Sequence, residues 1–296
     1  MLMQDASGAL SSEELGTADA EAGGELPFSN VARFLARHTD AVPRIYATSA
    51  DQRTMLLEDV GDRSLWDACA QQPVGCEALV ARALNLLTSL QRRAVDDGSG
   101  CYIFGRAFDS RVFGWEFEHF LEFGIEHAPR ALVERARSEL NVLADRLASY
   151  PRVFCHRDYH AWNLQLHEGR IRILDFQDAL MGPALYDVAS LLTDRSMPER
   201  IDDEMEQRLL ESFVNAPEAA HGLEPEQAEK SYRLCTLQRS LKVLGRFNYL
   251  AERQSKPAYL GFLPTTAATA RRASAHVDEG IDATRLLLAE HLRGVA

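Results

Sequence analysis

The stretch His156-Arg157-Asp158-Tyr159-His160-Ala161-Trp162-Asn163 is the part of the sequence that decides the fold. It follows an apolar run, 153–155, that is typical of a short buried strand. Two more apolar segments come after it, and Glu168-Gly169 between them indicates a hairpin turn. Asp175 follows the second segment directly. The sequence thus predicts a polar loop held between a strand and a hairpin.

The order and spacing of three residues in this region match the kinase pattern, in which a catalytic-loop aspartate precedes an asparagine and a metal-binding aspartate. Asp158 takes the place of the base that orients an acceptor hydroxyl and accepts its proton. Asn163 and Asp175 offer the hard oxygen ligands that magnesium prefers, and nucleotide phosphates can complete its shell. Each residue alone is more typical of a helix cap or a turn. The whole set, with the hairpin between its members, favours catalysis.

Several neighbouring residues are candidates for supporting roles. His156 is predicted to brace the loop by hydrogen bonding, whereas His160 either contacts phosphate or is exposed. Asp178 is a candidate for contact with metal-bound water or substrate. Asp187, at the start of a predicted helix, is expected to tie the loop by accepting backbone N–H bonds. The backbone of Glu58-Asp59-Val60 is a weaker candidate for adenine binding at a lobe junction.

Apolar periodicity predicts mostly helices around this loop. The predicted helical segments are 31–35, 78–90, 112–123, 131–147, a helix from about 185, 199–214, 225–252 and 265–292. Short strands are expected at 45–46 and at 54–57, where the apolar run is typical of a buried strand that ends at Gly61. Gly182-Pro183 is predicted to form a turn, and residues 6–25 a mobile connection.

This arrangement predicts an α+β protein with the two-lobe fold of protein kinases. Residues 1–61 would form the N-terminal, nucleotide-binding lobe and hinge, and comparison with kinases implies that this lobe is partial and truncated. Residues 62–296 would form a large, helical catalytic and substrate-binding lobe.

Composition excludes several other classes of function. The net charge of −12 disfavours nucleic-acid polymers and anionic membranes as partners. The five cysteines form no CxxC pair and no metal-binding spacing, which predicts free thiols in a reducing compartment. No apolar run approaches the ~20 residues of a membrane span. We therefore expect a cytoplasmic protein, whose oligomeric state the sequence leaves open.

The motifs together resemble the aminoglycoside phosphotransferase superfamily, especially its branch of bacterial anomeric kinases that act on N-acetylmuramate and N-acetylglucosamine in cell-wall recycling. The resemblance rests on the catalytic stretch and on residues 56–63, 175–179, 182–183, 186–192, 238–239, 241–245, Tyr259 and Pro264. It implies ATP or GTP as the donor, Mg²⁺ as the cofactor and the anomeric hydroxyl of an amino sugar as the acceptor.

The front of the chain departs from that family, in which strands carrying a phosphate-covering loop precede the segment that residues 1–5 resemble. The first lysine is Lys230, so no N-terminal lysine can pair with phosphates. Two expectations are open: the native chain begins further upstream, or the nucleotide lobe has lost a part. The second would give a catalytically weak, kinase-fold binding protein.

The acceptor also has an alternative, a kinase of another small alcohol such as an aminoglycoside or a choline-like compound. A cationic acceptor needs carboxylates or an aromatic cage, whereas muramate carries a carboxylate that needs arginine or lysine. Arg239 and Lys242 are the candidates for binding that carboxylate. The competing interpretation places both on a solvated helix face.

Overall fold

The computed structural model describes residues 2–4, 25–49, 54–195, 197–217, 219–278 and 280–295. Its N-terminal part is a three-stranded antiparallel sheet with one helix. The elements are β1 (Leu2–Gln4), α1 (Pro27–Leu35), β2 (Ile45–Thr48) and β3 (Thr54–Leu57). The strand order is β1-β3-β2. Most of the predicted mobile connection, 6–24, lies outside the described residues.

Strand β3 alternates between the protein interior and solvent. Met55 and Leu57 are buried, whereas Leu56 is 46% exposed. The sequence predicted a buried strand here, and this is correct only for every second residue, because successive side chains of a strand point to opposite faces. One face of the sheet therefore packs against the protein interior, and the other face is in contact with solvent.

The remainder is mainly helical, with two short antiparallel strand pairs that frame the catalytic stretch. The helices are α2 (Leu65–Gln71), α3 (Cys76–Arg93), α4 (Tyr102–Gly105), α5 (Ser110–Phe123), α6 (Arg130–Ser149), α7 (Ala184–Thr193), α8 (Asp203–Val214), α9 (Pro225–Arg253), α10 (Leu263–Ala275) and α11 (Asp282–Glu290). The strands are β4 (Arg152–Cys155), β5 (Leu164–His167), β6 (Arg170–Ile173) and β7 (Leu180–Pro183). Strand β4 pairs with β7, and β5 with β6. The predicted hairpin at Glu168-Gly169 is confirmed.

Helices α5 and α9 cross in direct backbone contact, and this crossing shapes one side of the site. A Cβ atom at Gly245 would lie 2.8 Å from the carbonyl oxygen of His119 and 2.9 Å from the Cα atom of Phe120. Real Cβ contacts are not this short, so only glycine allows the two helices to approach so closely. The side chains on either side of Gly245 are thereby held against α5.

Two sequence predictions about elements are wrong. Gly182-Pro183 is the end of β7 rather than a turn, since Val153 pairs with Gly182 and Arg152 with Pro183. A side chain at Gly182 would meet the ring of Phe108 at 2.8 Å, so glycine here permits close packing.

The predicted helix 265–292 is two helices, α10 and α11, and Gly280, a poor helix former, lies in the segment between them. Helices α2 and α4 were not predicted, although Ser64 and Asp67 form a capping box at the start of α2.

The described part of the chain contains no helix that is both long and apolar enough to cross a membrane. All five cysteines are buried and free of disulfide bonds, as the sequence predicted.

Candidate active site

A buried carboxylate fixes the start of the loop of residues 156–163, which we call the catalytic loop. Asp187, on α7, is fully buried and accepts the backbone N–H of His156 at 2.6 Å and that of Arg157 at 3.0 Å. Burial raises the pKa of Asp187, while its charge interaction with His156 acts in the opposite direction. Arg157 has a left-handed φ of 74°, which is costly for a non-glycine residue. The two bonds to Asp187 hold this turn, and the turn directs Asp158 into the cleft.

Asp158 lies in a cleft that its positively charged neighbours dominate. Its carboxylate is 41% exposed, and Arg239 Nη2 lies 3.3 Å from Oδ1. Burial acts to raise the pKa of Asp158, but Lys242, Arg239 and other cations lower it further than burial raises it. The pKa is therefore held well below its ordinary range, and Asp158 is ionised at neutral pH.

The hairpin brings Asn163 and Asp175 together beside Asp158. Asn163 Nδ2 donates to the carbonyl oxygen of Asp158 at 3.0 Å and lies 3.4 Å from Asp175 Oδ2. The second carboxylate oxygen of Asp175 accepts a bond from Gln177 at 2.8 Å. Asp175 has a φ of 62°, a conformation that Asp and Asn tolerate better than most residues. The amide of Asn163, which faces Asp175 through its nitrogen, and the carboxylate of Asp175 thus meet beside Asp158.

This donor set suits magnesium that is shared with a nucleotide. No group of three or more His, Cys, Asp or Glu side chains in the described residues is arranged to hold a metal. Magnesium is commonly bound by one or two carboxylates, waters and substrate phosphates rather than by a complete protein cage. Asp175 and Asn163 fit that pattern, and Asp178 lines the same cleft. Burial, with the nearby Asp158 and Asp175 acting in the same direction, raises the pKa of Asp178.

The two histidines of the loop have different surroundings. His156 is buried, and its Nε2 lies 2.9 Å from the carbonyl oxygen of Leu174, at the end of the hairpin. His160 is only 6% exposed, so the alternative that it is exposed is wrong. Burial lowers the pKa of His160 against the opposing effect of Asp194.

Arg239 and Lys242 are not on a solvated helix face, and that interpretation is wrong. Arg239 is 3% exposed and donates to the carbonyl oxygen of Arg157 at 2.5 Å. It also approaches Asp194 Oδ1 at 3.4 Å. Lys242 Nζ lies 2.8 Å from Oε1 of Glu116, which is fully buried. Both cations face the cleft, and both are paired with protein carboxylates.

Glu116 and Asp194 were missed by the sequence analysis. Glu116 also accepts bonds from Gln238 at 2.5 Å and from Arg157 at 3.4 Å, so it joins α5, α9 and the catalytic loop. A signal for Glu116 was present: it falls at helical spacing among the apolar residues that α5 buries. A charge on such a face must have partners, because an unpaired buried charge is very costly. Asp194 gave no comparable signal.

The segment Glu58-Asp59-Val60 does not line this cleft, and Glu58 already has partners. Glu58 forms hydrogen bonds with Arg172 at 2.7 and 3.0 Å, and this pairing lowers its pKa to about 2. The N–H of Glu58 donates to the carbonyl oxygen of Arg44 at 2.8 Å. Val60 is buried. The N–H of Glu58 is thus not free for a nucleotide base.

The cleft has a volume of about 470 Å³ and extends from the catalytic residues along one face of α9. Its residues are Trp115, His119, Arg157, Asp158, His160, Asp175, Asp178, Asp194, Arg195, Arg239, Lys242, Val243, Arg246, Phe247, Tyr249, Leu250, Gln254 and Tyr259. The acids are clustered at the catalytic end. We call the part of the cleft that Arg246 and Tyr249 line, further along α9 from Arg239, the distal end.

Comparison with known proteins agrees with this geometry. The chain is 34% identical over 248 residues to an N-acetylmuramate/N-acetylglucosamine kinase of Pseudomonas aeruginosa, covering 80% of this chain and 70% of that protein. A kinase of the same name from Pseudomonas putida is 30% identical over 250 residues, again covering 80% and 70%. A solved structure of an ethanolamine kinase from Plasmodium vivax has the same fold, with a TM-score of 0.60 at 13% identity over 85% of this chain and 74% of that one.

The profile of one family, described as the phosphotransferase enzyme family APH, matches residues 17–225. This match includes the catalytic loop, the hairpin, Asp187 and Asp194. On the evidence of that match and of the sequence relatives, the chain belongs to the APH phosphotransferase family and has its kinase-like fold.

Proposed function

We propose that this phosphotransferase transfers the terminal phosphoryl group of ATP or GTP to the anomeric hydroxyl of an N-acetylated amino sugar such as N-acetylmuramate or N-acetylglucosamine. The observation that carries the proposal is the convergence of Asp158, Asn163 and Asp175 at one end of the cleft. The activity for which the two Pseudomonas relatives are named supports the choice of sugar.

In this proposal Asp158 orients the acceptor hydroxyl and takes its proton as the oxygen attacks the γ-phosphorus and the bond to the β-phosphate breaks. The lowered pKa makes Asp158 a weak base. A weak base suffices because phosphoryl transfer is largely dissociative, so the proton leaves late. The hydroxyl of a sugar hemiacetal is more acidic than that of an ordinary alcohol, and this also favours an anomeric acceptor.

Asn163 and Asp175 would hold the metal of the reaction. The family typically uses ATP with a divalent metal. Magnesium, when bound there, would offset the negative charge that develops on the nucleotide phosphates. The residues of this chain keep the two ligands together: Asn163 is anchored to the backbone of Asp158, and Gln177 orients the Asp175 carboxylate.

The nucleotide would lie between the sheet of residues 1–61 and the helical lobe of residues 62–296, with the backbone of Asp59 and Val60 near the base. Arg172 supports this placement of the lobe boundary. It belongs to the hairpin that precedes Asp175, and it donates to the carbonyl oxygen of Val42 at 3.1 Å as well as to Glu58. Arg172 thus fixes the N-terminal part of the chain to the hairpin that precedes Asp175.

The proposal is tested by incubating the protein with magnesium, ATP or GTP, and a panel of acceptors, and by recording the phosphorus NMR spectrum of the products. We expect an anomeric sugar phosphate from N-acetylmuramate or N-acetylglucosamine. Magnesium omission should abolish it. Phosphorylation of choline or of an aminoglycoside instead, with no sugar product, would contradict the proposal.

A cationic alcohol is the second candidate acceptor, because the cleft is lined by Trp115, Tyr249 and Tyr259. Aromatic rings of this kind can enclose a quaternary ammonium group. Arg246 lies over the ring of Tyr249, and its charge would repel such a group. The charge at the distal end therefore favours the sugar.

A further inference from the structure

The distal end of the cleft contains an arginine that differs from the other cations of the site. Arg246 lies seven residues after Arg239 on α9, and Lys242 lies between them. Helical spacings of three, four and seven residues place all three on one face of the helix, and all three line the cleft. They form a row of positive charges that begins beside Asp158.

The other cations of this row are neutralised by protein carboxylates. Arg239 interacts with Asp158 and Asp194, and Lys242 with Glu116. Both charges are thus compensated within the protein, whereas the sequence predicted that they bind a substrate carboxylate. Arg195 also lines the cleft and is 3.3 Å from Asp194.

Arg246 has no carboxylate within ion-pair distance among the residues that the structure describes. Its guanidinium lies over the ring of Tyr249, 5.3 Å from the centroid. That ring is itself fixed, since it packs against His119 at 5.3 Å and against Phe123 at 5.0 Å. A guanidinium stacked on a ring keeps its in-plane N–H donors available for a carboxylate. Arg246 is therefore held in place with its charge uncompensated.

We propose that Arg246 is a specificity-determining residue that binds a carboxylate on the acceptor, and that the cleft therefore prefers acidic amino sugars to neutral ones. This inference rests on the proposed function. N-acetylmuramate and N-acetylglucosamine test it directly, because they differ by a lactyl ether whose carboxylate is ionised at neutral pH. The anomeric hydroxyl reacts at Asp158 while the lactyl carboxylate meets Arg246.

The experiment compares steady-state kinetics of the two sugars in the unmodified protein, Arg246→Gln and Arg246→Lys. Loss of a charge-assisted hydrogen bond should raise KM for N-acetylmuramate about tenfold in Arg246→Gln. The kcat should change little, because the contact is equally present in the ground and transition states. KM for N-acetylglucosamine should stay within about twofold, because this sugar lacks the carboxylate that would contact Arg246. Arg246→Lys should give an intermediate KM, since it keeps the charge without the planar fork.

Arg253→Gln is the matched control. Arg253 lies on the same helix, seven residues further on, is exposed, and does not line the cleft. Its kinetics with both sugars should equal those of the unmodified protein. Thermal unfolding of every variant separates a loss of binding from a loss of structure.

The outcomes separate this inference from the function on which it rests. If the unmodified protein phosphorylates both sugars and Arg246→Gln changes both KM values by the same factor or neither, the specificity role is overturned and the function stands. Turnover of N-acetylglucosamine alone also overturns the role of Arg246. Turnover of neither sugar overturns both proposals.

Discussion

Asp158 is the residue on which the proposed chemistry depends most. We predict that Asp158→Asn lowers kcat by about 100-fold or more, as expected for the loss of a general base. The amide cannot accept the hydroxyl proton, but it has the same size and can remain near Arg239. The thermal midpoint should change little. An unchanged kcat for a verified acceptor at saturating nucleotide would remove Asp158 from this role.

A substitution of Asp175 tests the proposed metal site separately. Its φ of 62° makes Asp175→Asn a better substitution than alanine, because asparagine tolerates the left-handed conformation. We predict that nucleotide binding in this variant loses most of its dependence on magnesium, since the carboxylate charge is gone. Calorimetric titration with ATP in the presence and absence of magnesium measures the effect. A dependence equal to that of the unmodified protein would argue against Asp175 as a ligand.

Among the elements, the crossing of α5 and α9 gives a matched pair of glycine substitutions. Gly245→Ala should lower the free energy of unfolding, because the added Cβ would meet backbone atoms of α5 below 3 Å. Gly114→Ala, in α5, should raise it by about 0.5–1 kcal/mol through helix propensity, since no atom lies within 4 Å of the new methyl group. Urea unfolding of both variants is the measurement. Stabilisation by both substitutions would show that the helices can separate without cost.

The elements also show what the sequence could and could not predict. Strands β4 to β6 and most of the helices were predicted, because apolar periodicity and a turn dipeptide report on local structure. The strand β7 was missed, since Gly182 and Pro183 are typical of turns and this strand is defined by its pairing with β4, a contact between residues far apart in the chain. The grouping of Asp158, Asn163 and Asp175 at one place was predictable from their spacing. The pairing of Arg239 and Lys242 with Asp194 and Glu116 was not, because those contacts join residues far apart in the chain.

For the molecule as a whole, the pair of Glu58 and Arg172 connects the segment after β3 to the hairpin formed by β5 and β6. Its carboxylate has a pKa of about 2 in the folded protein, below its ordinary value of 4.5, owing mainly to hydrogen bonding with Arg172. A lowered folded-state pKa contributes stability above the unfolded-state pKa, and this contribution declines as the pH falls through the folded-state value. The pair therefore stabilises the fold at neutral pH and loses this effect in acid.

We predict that Glu58→Gln is less stable than the unmodified protein at pH 7, and that the difference shrinks as the pH falls from about 4.5 towards about 2. Urea unfolding at a series of pH values gives the comparison. Asp40→Asn, which alters an exposed pair with Arg170 on the same hairpin, is the control and should have a small effect at every pH. A difference for Glu58→Gln that is constant with pH would contradict the assignment.

The row of cations on α9 makes the length of that helix as important as its composition. Arg239 and Arg246 are seven residues apart, which corresponds to about 10 Å along a helix axis. One residue inserted between them would rotate Arg246 by about 100° away from the cleft and advance it by about 1.5 Å. Point substitutions elsewhere on α9 leave this spacing intact. Insertions and deletions in this interval would therefore change which acceptors fit, even when every side chain of the site is retained.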